Sequence, residues 1–329
     1  MQRALVTGGF GFLGSWIVRQ LLGDGVAVRV LALPGEPRGN LRGHSVEVVE
    51  GDVRDVATCA RAAAGVDTVF HAAAIYDDWA PNPTRMYEVN MRGTFNVLEA
   101  SRRAGVERVI YTASIVSLGR PAPGALADEA TPYEAWGLDF PYSRSKYHSR
   151  ELAECFAAWG LDVRVVCPAI VLGPGDLRPT PSGKLILNIA GGAAPPAYFD
   201  GGAAYVDVRD AAAVHLLAAA RGQPGQRYIA AAHNLTNLDL VRAIQRACGK
   251  RRRLAKLPIA VARTVAIGYE IQARRTGKPP LFSRDFFEYC LRPSYCDNRR
   301  AREELGASFR SLDETLADAL ADFRERGAL

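Results

Sequence analysis

Tyr142 and Lys146 stand four residues apart in the stretch Tyr142-Ser143-Arg144-Ser145-Lys146. On a helix, side chains at this spacing leave from one face with their Cβ atoms about 5–6 Å apart. An ammonium beside a phenol favours the phenolate and draws the tyrosine pKa down from roughly 10. That would make Tyr142 a general acid/base. Taken alone, such a pair is also what an ordinary surface helix presents. Ser114 follows the β-branched, apolar run 109–112, and its hydroxyl is expected to hold a substrate carbonyl or hydroxyl oxygen against Tyr142.

A second chemical feature opens the chain. Thr7-Gly8-Gly9-Phe10-Gly11-Phe12-Leu13-Gly14 spaces three glycines as Gly8-x-x-Gly11-x-x-Gly14. Glycines allow a tight turn, close approach of backbone to a pyrophosphate, and close helix–sheet contact. A helix that follows offers unpaired N–H groups and its positive dipole end to phosphate. This pattern points to a dinucleotide. A carboxylate at the tip of the second strand would bond the ribose diol of NAD and repel a 2′-phosphate. Here the segment reads Leu31-Ala32-Leu33-Pro34-Gly35-Glu36-Pro37-Arg38, with no acid at the tip. Arg38 suits the 2′-phosphate of NADP, which is the preferred reading; Glu36 leaves NAD open.

Elements must position these groups. Apolar runs at 3–7, 26–33, 46–49, 66–71 and 109–114 alternate with helical patterns at 15–22, 56–64 and 84–104. A further helix, 142–159, precedes a strand at 162–168. Strands alternating with helices predict a Rossmann-type α/β fold: a doubly wound parallel sheet covered on both faces. Such strands should be nearly continuously apolar, as these are. After about residue 173 glycine and proline become frequent and the alternation is lost. The expected organisation is a dinucleotide-binding domain over 1–172 and a smaller mixed substrate lobe over 173–329, with segments crossing back onto the sheet. Helical patterns at 261–275 and 311–326 are candidates for a lid.

Composition narrows the class. The chain has 329 residues, 48% hydrophobic and 23% charged, which excludes a disordered chain, a collagen-like repeat and a disulfide-stapled miniprotein. The net charge of +6 is mild for this length. The six cysteines lack metal-ligand spacing and read as reduced thiols, so a cytoplasmic protein without a metal is expected. The opening lacks a basic stretch followed by a long apolar run, so no secretory signal is expected. The basic run 250–253 lacks interleaved aromatics and reads as a solvated loop, so nucleic acid is not an expected partner. No segment is a comfortable membrane span.

Taken together, TGGFGFLG, Gly51-Asp52-Val53-Arg54-Asp55, His71-Ala72-Ala73-Ala74, Val89-Asn90-Met91-Arg92-Gly93-Thr94, Ser114, Tyr142-x-x-x-Lys146 and Cys167-Pro168 follow in an order that resembles the extended short-chain dehydrogenase/reductases over nearly the whole chain. Trp79-Ala80-Pro81-Asn82-Pro83, Met86-Tyr87 and Lys184 after Pro179-Thr180-Pro181-Ser182-Gly183 look most like the dihydroflavonol 4-reductase-like group, which includes the hopanoid-associated epimerase-like proteins. The resemblance implies roles. Tyr142 would donate or accept the proton, Lys146 would bind the nicotinamide ribose and tune Tyr142, and Ser114 would orient the reacting oxygen. Phe12 and Leu13 would supply backbone contacts to the pyrophosphate, Asp52 and Val53 would flank the adenine, and Ala72, Ala73 and Ala74 would line the cofactor. Asn90 would sit beneath the nicotinamide side, or serve a buried network, and Pro168 to Ile170 would contact the carboxamide. By the same analogy the protein pairs as a homodimer.

Members of that superfamily reduce ketones, oxidise alcohols or epimerise nucleotide sugars, and all begin with hydride transfer beside the same tyrosine. Nucleotide-sugar enzymes carry an Arg-Phe-Asn stretch where this chain has Val165-Val166-Cys167, and an Arg-Asp pair where it has Ala203-Ala204. A diphosphate favours Arg or amide donors. Their absence argues against a nucleotide sugar unless Lys184, Arg178 or Arg275 replaces them. Tyr76, Trp79, Tyr198 and Phe199 offer aromatic walls for an apolar or ring-bearing small molecule. The expected function is therefore a ketone/alcohol oxidoreductase. A nucleotide-sugar epimerase or dehydratase is the alternative, and a non-catalytic nucleotide sensor comes third, disfavoured by the intact tyrosine–lysine pair.

Overall fold

The structure is a computed structural model that describes residues 1–76, 82–122, 124–277 and 284–329, the Phe286 side chain excepted. Its first half alternates β1 (Arg3–Thr7), α1 (Phe12–Gly23), β2 (Ala27–Ala32), β3 (Glu47–Glu50), α2 (Val56–Ala63) and β4 (Thr68–His71). A long helical stretch follows as α3 (Thr84–Tyr87), a π-helical turn (Glu88–Gly93) and α4 (Thr94–Arg103). Then come β5 (Arg108–Thr112), α5 (Pro141–Ala158) and β6 (Val163–Pro168). Pro141 stands at the first position of α5, where its missing N–H costs nothing.

The second half contains β7 (Ile170–Leu172), α6 (Pro181–Gly191), β8 (Ala197–Tyr198), β9 (Gly202–Asp207), α7 (Val208–Arg221), β10 (Arg227–Ala230) and β11 (His233–Thr236). It ends with α8 (Asn237–Ala247), β12 (Ala255–Lys256), α9 (Ile259–Thr276), α10 (Arg284–Leu291), α11 (Arg299–Leu305) and α12 (Leu312–Glu325).

The central sheet has seven strands in the order β10-β6-β5-β4-β1-β2-β3, every neighbouring pair parallel. Side chains alternate across it, so one strand feeds two cores. Leu5, Val69, Val109, Tyr111 and Val165 pack toward one face; Val6, Phe70, Ile110 and Val166 pack toward the other. The order reverses between β1 and β4, and in such sheets ligands bind outside the carboxyl ends of the strands at that switch point. The glycine turn, Ala72 and Ser114 all follow those ends.

Beyond β6 the chain does two things. β7, β9 and β11 form a small mixed sheet. In contrast, α7 and β10 return to the main sheet, with Val214, Ala218 and Tyr228 buried in its second core. Structurally the two lobes interleave through 208–230 and share no single cut. Neither terminal helical pattern stands off as a lid over described residues. Leu316, Leu320 and Phe323 of α12 are buried in one cluster with Leu240 and Ile244 of α8, and α9 buries Ala262 and Ala266 against Phe287 of α10.

Candidate active site

The turn between β1 and α1 is closed by backbone. Gly8 has φ +69°, and a Cβ there would fall 2.9 Å from the Ala73 backbone. A Cβ on Gly14 would fall 2.1 Å from the Gly8 carbonyl oxygen, so only glycine lets α1 start this close to the turn. Gly11 donates to Gly8 O at 3.0 Å and caps α1 with no side chain. The first N–H groups of α1, from Phe12 and Leu13 onward, therefore have no capping acceptor, which suits an anion.

Beside this turn a directional chain of hydrogen bonds fixes the end of β4. Thr94 Oγ1 donates to the Asn90 carbonyl (2.6 Å), so it accepts from His71 Nε2 (3.0 Å). His71 Nδ1 then accepts from Thr7 Oγ1 (2.7 Å), which in turn accepts from the Ala73 N–H (3.1 Å). This order requires a neutral imidazole. Burial, with the Lys146 ammonium adding to it, lowers the His71 pKa to about 3. The chain pins Ala73 against Gly8, with Ala72 half-buried and Ala74 exposed beyond it.

Asn90 lies in the π-helical turn and is 2% exposed. Its amide is fully occupied: Oδ1 accepts from the Ile75 N–H (2.8 Å), and Nδ2 donates to Ile75 O (3.0 Å) and Ser145 Oγ (2.9 Å). The structure thus uses Asn90 in a buried network that clamps the segment before Tyr76 onto α5.

Tyr142 and Lys146 leave the same face of α5, as the spacing predicted. Their electrostatics differ from expectation. Lys146 is 4% exposed and Nζ donates to the Thr112 carbonyl (2.8 Å). Burial lowers its pKa to about 8. The half-buried Tyr142 phenol is pushed up to about 12 by desolvation, against the pull of a hydrogen bond shared with Ser114. The expectation that Lys146 draws the phenol down is therefore corrected: the ammonium turns to Thr112, and desolvation wins. Thr112 is held in turn by His215, whose Nδ1 donates to Ala211 O (2.7 Å) and whose Nε2 meets Thr112 Oγ1 (3.0 Å).

The flanks of the cleft are mixed. Asp52 is engaged by Arg54 at Nε (3.0 Å) and Nη2 (2.8 Å), which lowers its pKa, and Val53 is buried beneath Gly93. Arg38 is half-exposed, paired with Glu50 (2.7 Å), with its guanidinium 5.6 Å from the Phe10 ring of the glycine turn. Glu36 folds back to accept from the Leu33 N–H (3.1 Å) and lies 3.8 Å from Arg178. Pro168 ends β6 in the core, and Ile170 begins β7 with 37% exposure.

Of the aromatic candidates, Tyr76 stands edge-on to Tyr142 with ring centroids 4.6 Å apart. Trp79 lies outside the described residues. Tyr198 is half-buried in the short β8 strand, paired to β12. Phe199 is spent on packing, edge-on to Phe287 at 4.9 Å. Sequence reasoning missed Phe140 and Tyr289. Phe140 lies 6.1 Å from Tyr142 and 5.1 Å from Tyr289, ring to ring, and Tyr289 bears electrostatically on the Tyr142 phenol. Phe140, two residues before Tyr142, was within reach of a sequence argument; Tyr289 carried no signal. Among the described residues no cluster of His, Cys, Asp and Glu is arranged to hold a metal, and no helix is long and apolar enough to cross a membrane.

Residues 4–231 match the family described as NAD dependent epimerase/dehydratase. A Synechocystis protein whose name assigns it provisionally as a dihydroflavonol 4-reductase is 33% identical, over 98% of this chain and 94% of its own. Sterol demethylase protein B of Methylococcus capsulatus is 34% identical, over 99% of each chain. The crystal structure of gox2253 superposes with a TM-score of 0.88 at 35% identity, covering 100% of both chains. The glycine turn, the uncapped start of α1 and the phenol–ammonium face of α5 thus belong to an NAD(P)-dependent enzyme, and the chain is a member of the NAD dependent epimerase/dehydratase family within the extended short-chain dehydrogenase/reductases.

Proposed function

We propose that this enzyme interconverts a ketone and a secondary alcohol on a hydrophobic or cyclic small molecule. The observation that carries the reading is the Tyr142 phenol: half-buried, flanked by the Tyr76 and Phe140 rings, with Ser114 the side chain that pulls against its raised pKa. With its pKa pushed up to about 12, Tyr142 keeps its proton at neutral pH, as an acid serving a developing alkoxide must. Ser114 orients the reacting oxygen against it. Lys146, buried and tied to Thr112 O, holds a positive charge under the site.

The residues fit a nicotinamide dinucleotide: a Cβ at Gly8 or Gly14 would collide with the backbone of the turn and one at Gly11 would crowd it, and no side chain caps the N–H groups of Phe12 and Leu13. When bound, the dinucleotide supplies the hydride. Asp52 and Val53 are assigned to the adenine side, Ala72, Ala73 and Ala74 to the cofactor wall, Lys146 to the ribose, and Pro168 to Ile170 to the carboxamide. Asn90 supports this side indirectly, through Ile75 and Ser145. NADP is preferred over NAD because Glu36 is folded onto its own turn whereas the half-exposed Arg38 lies beside the glycine turn. The proposal has the enzyme as a cytoplasmic homodimer. Phe95 of α4 and Trp159 just beyond α5 are 44% and 68% exposed on either side of Phe156, an apolar strip suited to a partner.

The second reading, epimerisation or dehydration of a nucleotide sugar, is favoured by the family description and by the likeness, at 26% identity, to solved structures of a nucleoside-diphosphate-sugar epimerase and a dTDP-glucose 4,6-dehydratase. NADPH deuterated at C4, offered with a panel of mono- and bicyclic ketones, separates the two. Deuterium on the carbinol carbon of the product is expected. Label that stays on the cofactor, together with an inverted sugar from UDP-glucose, overturns the reductase reading.

A further inference from the structure

We propose that Arg120 is an anion anchor beside Tyr142 and that the substrate carries a carboxylate near its reacting carbon. The inference rests on the reading of Tyr142 as proton donor to a ring-bearing carbonyl.

The segment after Ser114 is rigidly held. Ser114 O accepts from Ser117 Oγ (2.6 Å), Leu118 is buried, and a Cβ on Gly119 would fall 1.5 Å from the Pro132 carbonyl oxygen. Arg120 therefore leaves a fixed stalk. Its guanidinium carbon lies 3.7 Å from the centre of the Tyr289 ring. Tyr289 adjoins Phe140 at 5.1 Å and Phe140 lies 6.1 Å from Tyr142, ring to ring, so the stack is joined to the reacting group through one ring.

Arg120 Nε and Nη2 are closed off from solvent and make no hydrogen bond among the described residues. Arg29, Arg144 and Arg150 also have a buried Nε that makes no hydrogen bond, but each is engaged elsewhere: Arg29 by Glu47 (2.9 Å) and Ala62 O, Arg144 by Leu138 O and Arg150 by Glu154. Arg120 has no carboxylate within ion-pair distance among the described residues. A buried donor on a charged group left unmet is costly, and native structures rarely keep one without a use.

The two unmet nitrogens share one edge of the guanidinium. That edge is the fork that takes both oxygens of a carboxylate in parallel, and the plane behind it is braced by Tyr289. The apolar neighbours Phe140, Tyr289 and Tyr76 suit the ring that would bear the acid. A diphosphate would also accept from the fork, so the test separates the two anions.

Enzyme saturated with NADP⁺ is titrated calorimetrically with 4-oxochroman-2-carboxylate, its methyl ester, and UDP. Wild type is expected to bind the acid at least about tenfold more tightly than the ester, in line with a charged hydrogen-bonded pair. Arg120→Met abolishes that preference, Arg120→Lys keeps part of it, and Tyr142→Phe keeps all of it. Equal affinities for acid and ester in wild type, no detectable binding of the acid, or a preference that survives Arg120→Met overturns the proposal. Arg120-dependent binding of UDP with none of the acid overturns it in favour of a diphosphate. If Arg120→Met unfolds, the wild-type ratio and Arg120→Lys still decide. Because binding is read without turnover, an intact acid preference alongside absent hydride transfer sinks the reductase reading and leaves the anchor standing.

Discussion

Replacing Lys146 with methionine should make the protein more stable while removing its activity. In the folded state burial lowers the Lys146 pKa from 10.5 to about 8. The difference of about 2.5 units corresponds to ~3 kcal/mol by which the fold disfavours the charged form. Below pH 8 folded and unfolded chains both carry the ammonium, so the whole penalty is present. Between about pH 8 and 10.5 the folded chain releases the proton while the unfolded chain keeps it, and stability rises with pH. Above that window neither is charged and the penalty has gone. Methionine fills a similar volume without the charge but forfeits the bond to Thr112 O, worth about 1 kcal/mol. Lys146→Met is therefore expected to gain roughly 2 kcal/mol at pH 7, shrinking to nothing or reversing by pH 10.5. Urea unfolding of both proteins at pH 7, 9 and 10.5 measures it. A destabilised variant at pH 7, or a difference that does not change with pH, would refute the reasoning. The wider point is that a buried ammonium kept at a cost to folding marks a functional position.

Tyr142→Phe should lower hydride transfer by about 10²–10⁴-fold while cofactor affinity, from nicotinamide fluorescence titration, stays within threefold; undiminished turnover would remove Tyr142 from its role. Gly14→Ala must push α1 away from the Gly8 carbonyl, costing roughly 1–3 kcal/mol and weakening both NADH and NADPH at least tenfold, which melting and titration together will show. Asn90→Ala strands the Ile75 N–H and carbonyl, so a loss of about 1–3 kcal/mol is expected in chemical denaturation. Arg38→Ala should weaken NADPH and spare NADH, and equal losses for both would argue against a 2′-phosphate contact.

The strand–helix alternation was legible because parallel strands covered on both faces are continuously apolar and helical periodicity is local. The same held for helix 84–104, although the sequence did not disclose that residues 88–93 open into a π-helical turn. That turn was hidden because the partners that hold Asn90, Ile75 and Ser145, lie 15 and 55 residues away in the chain. Which segment after residue 172 would cross back onto the sheet was not legible for a similar reason: β10 pairs with β6 across a long crossover, and pairing partners at that separation leave no periodic signal.

What the chain determined by itself is therefore whatever a few neighbouring residues can dictate. Gly8 and Gly14 allow a turn no other residue permits, and a four-residue spacing sets a phenol and an ammonium on one helical face. Tertiary structure decided the chemistry of those groups. Desolvation raised Tyr142 and lowered Lys146, Thr112 took the ammonium, and Arg120 and Tyr289, from distant stretches, stacked in series with Phe140 next to Tyr142. Ionisation and binding depend on what surrounds a group in space, and those surroundings exist only once the sheet has assembled.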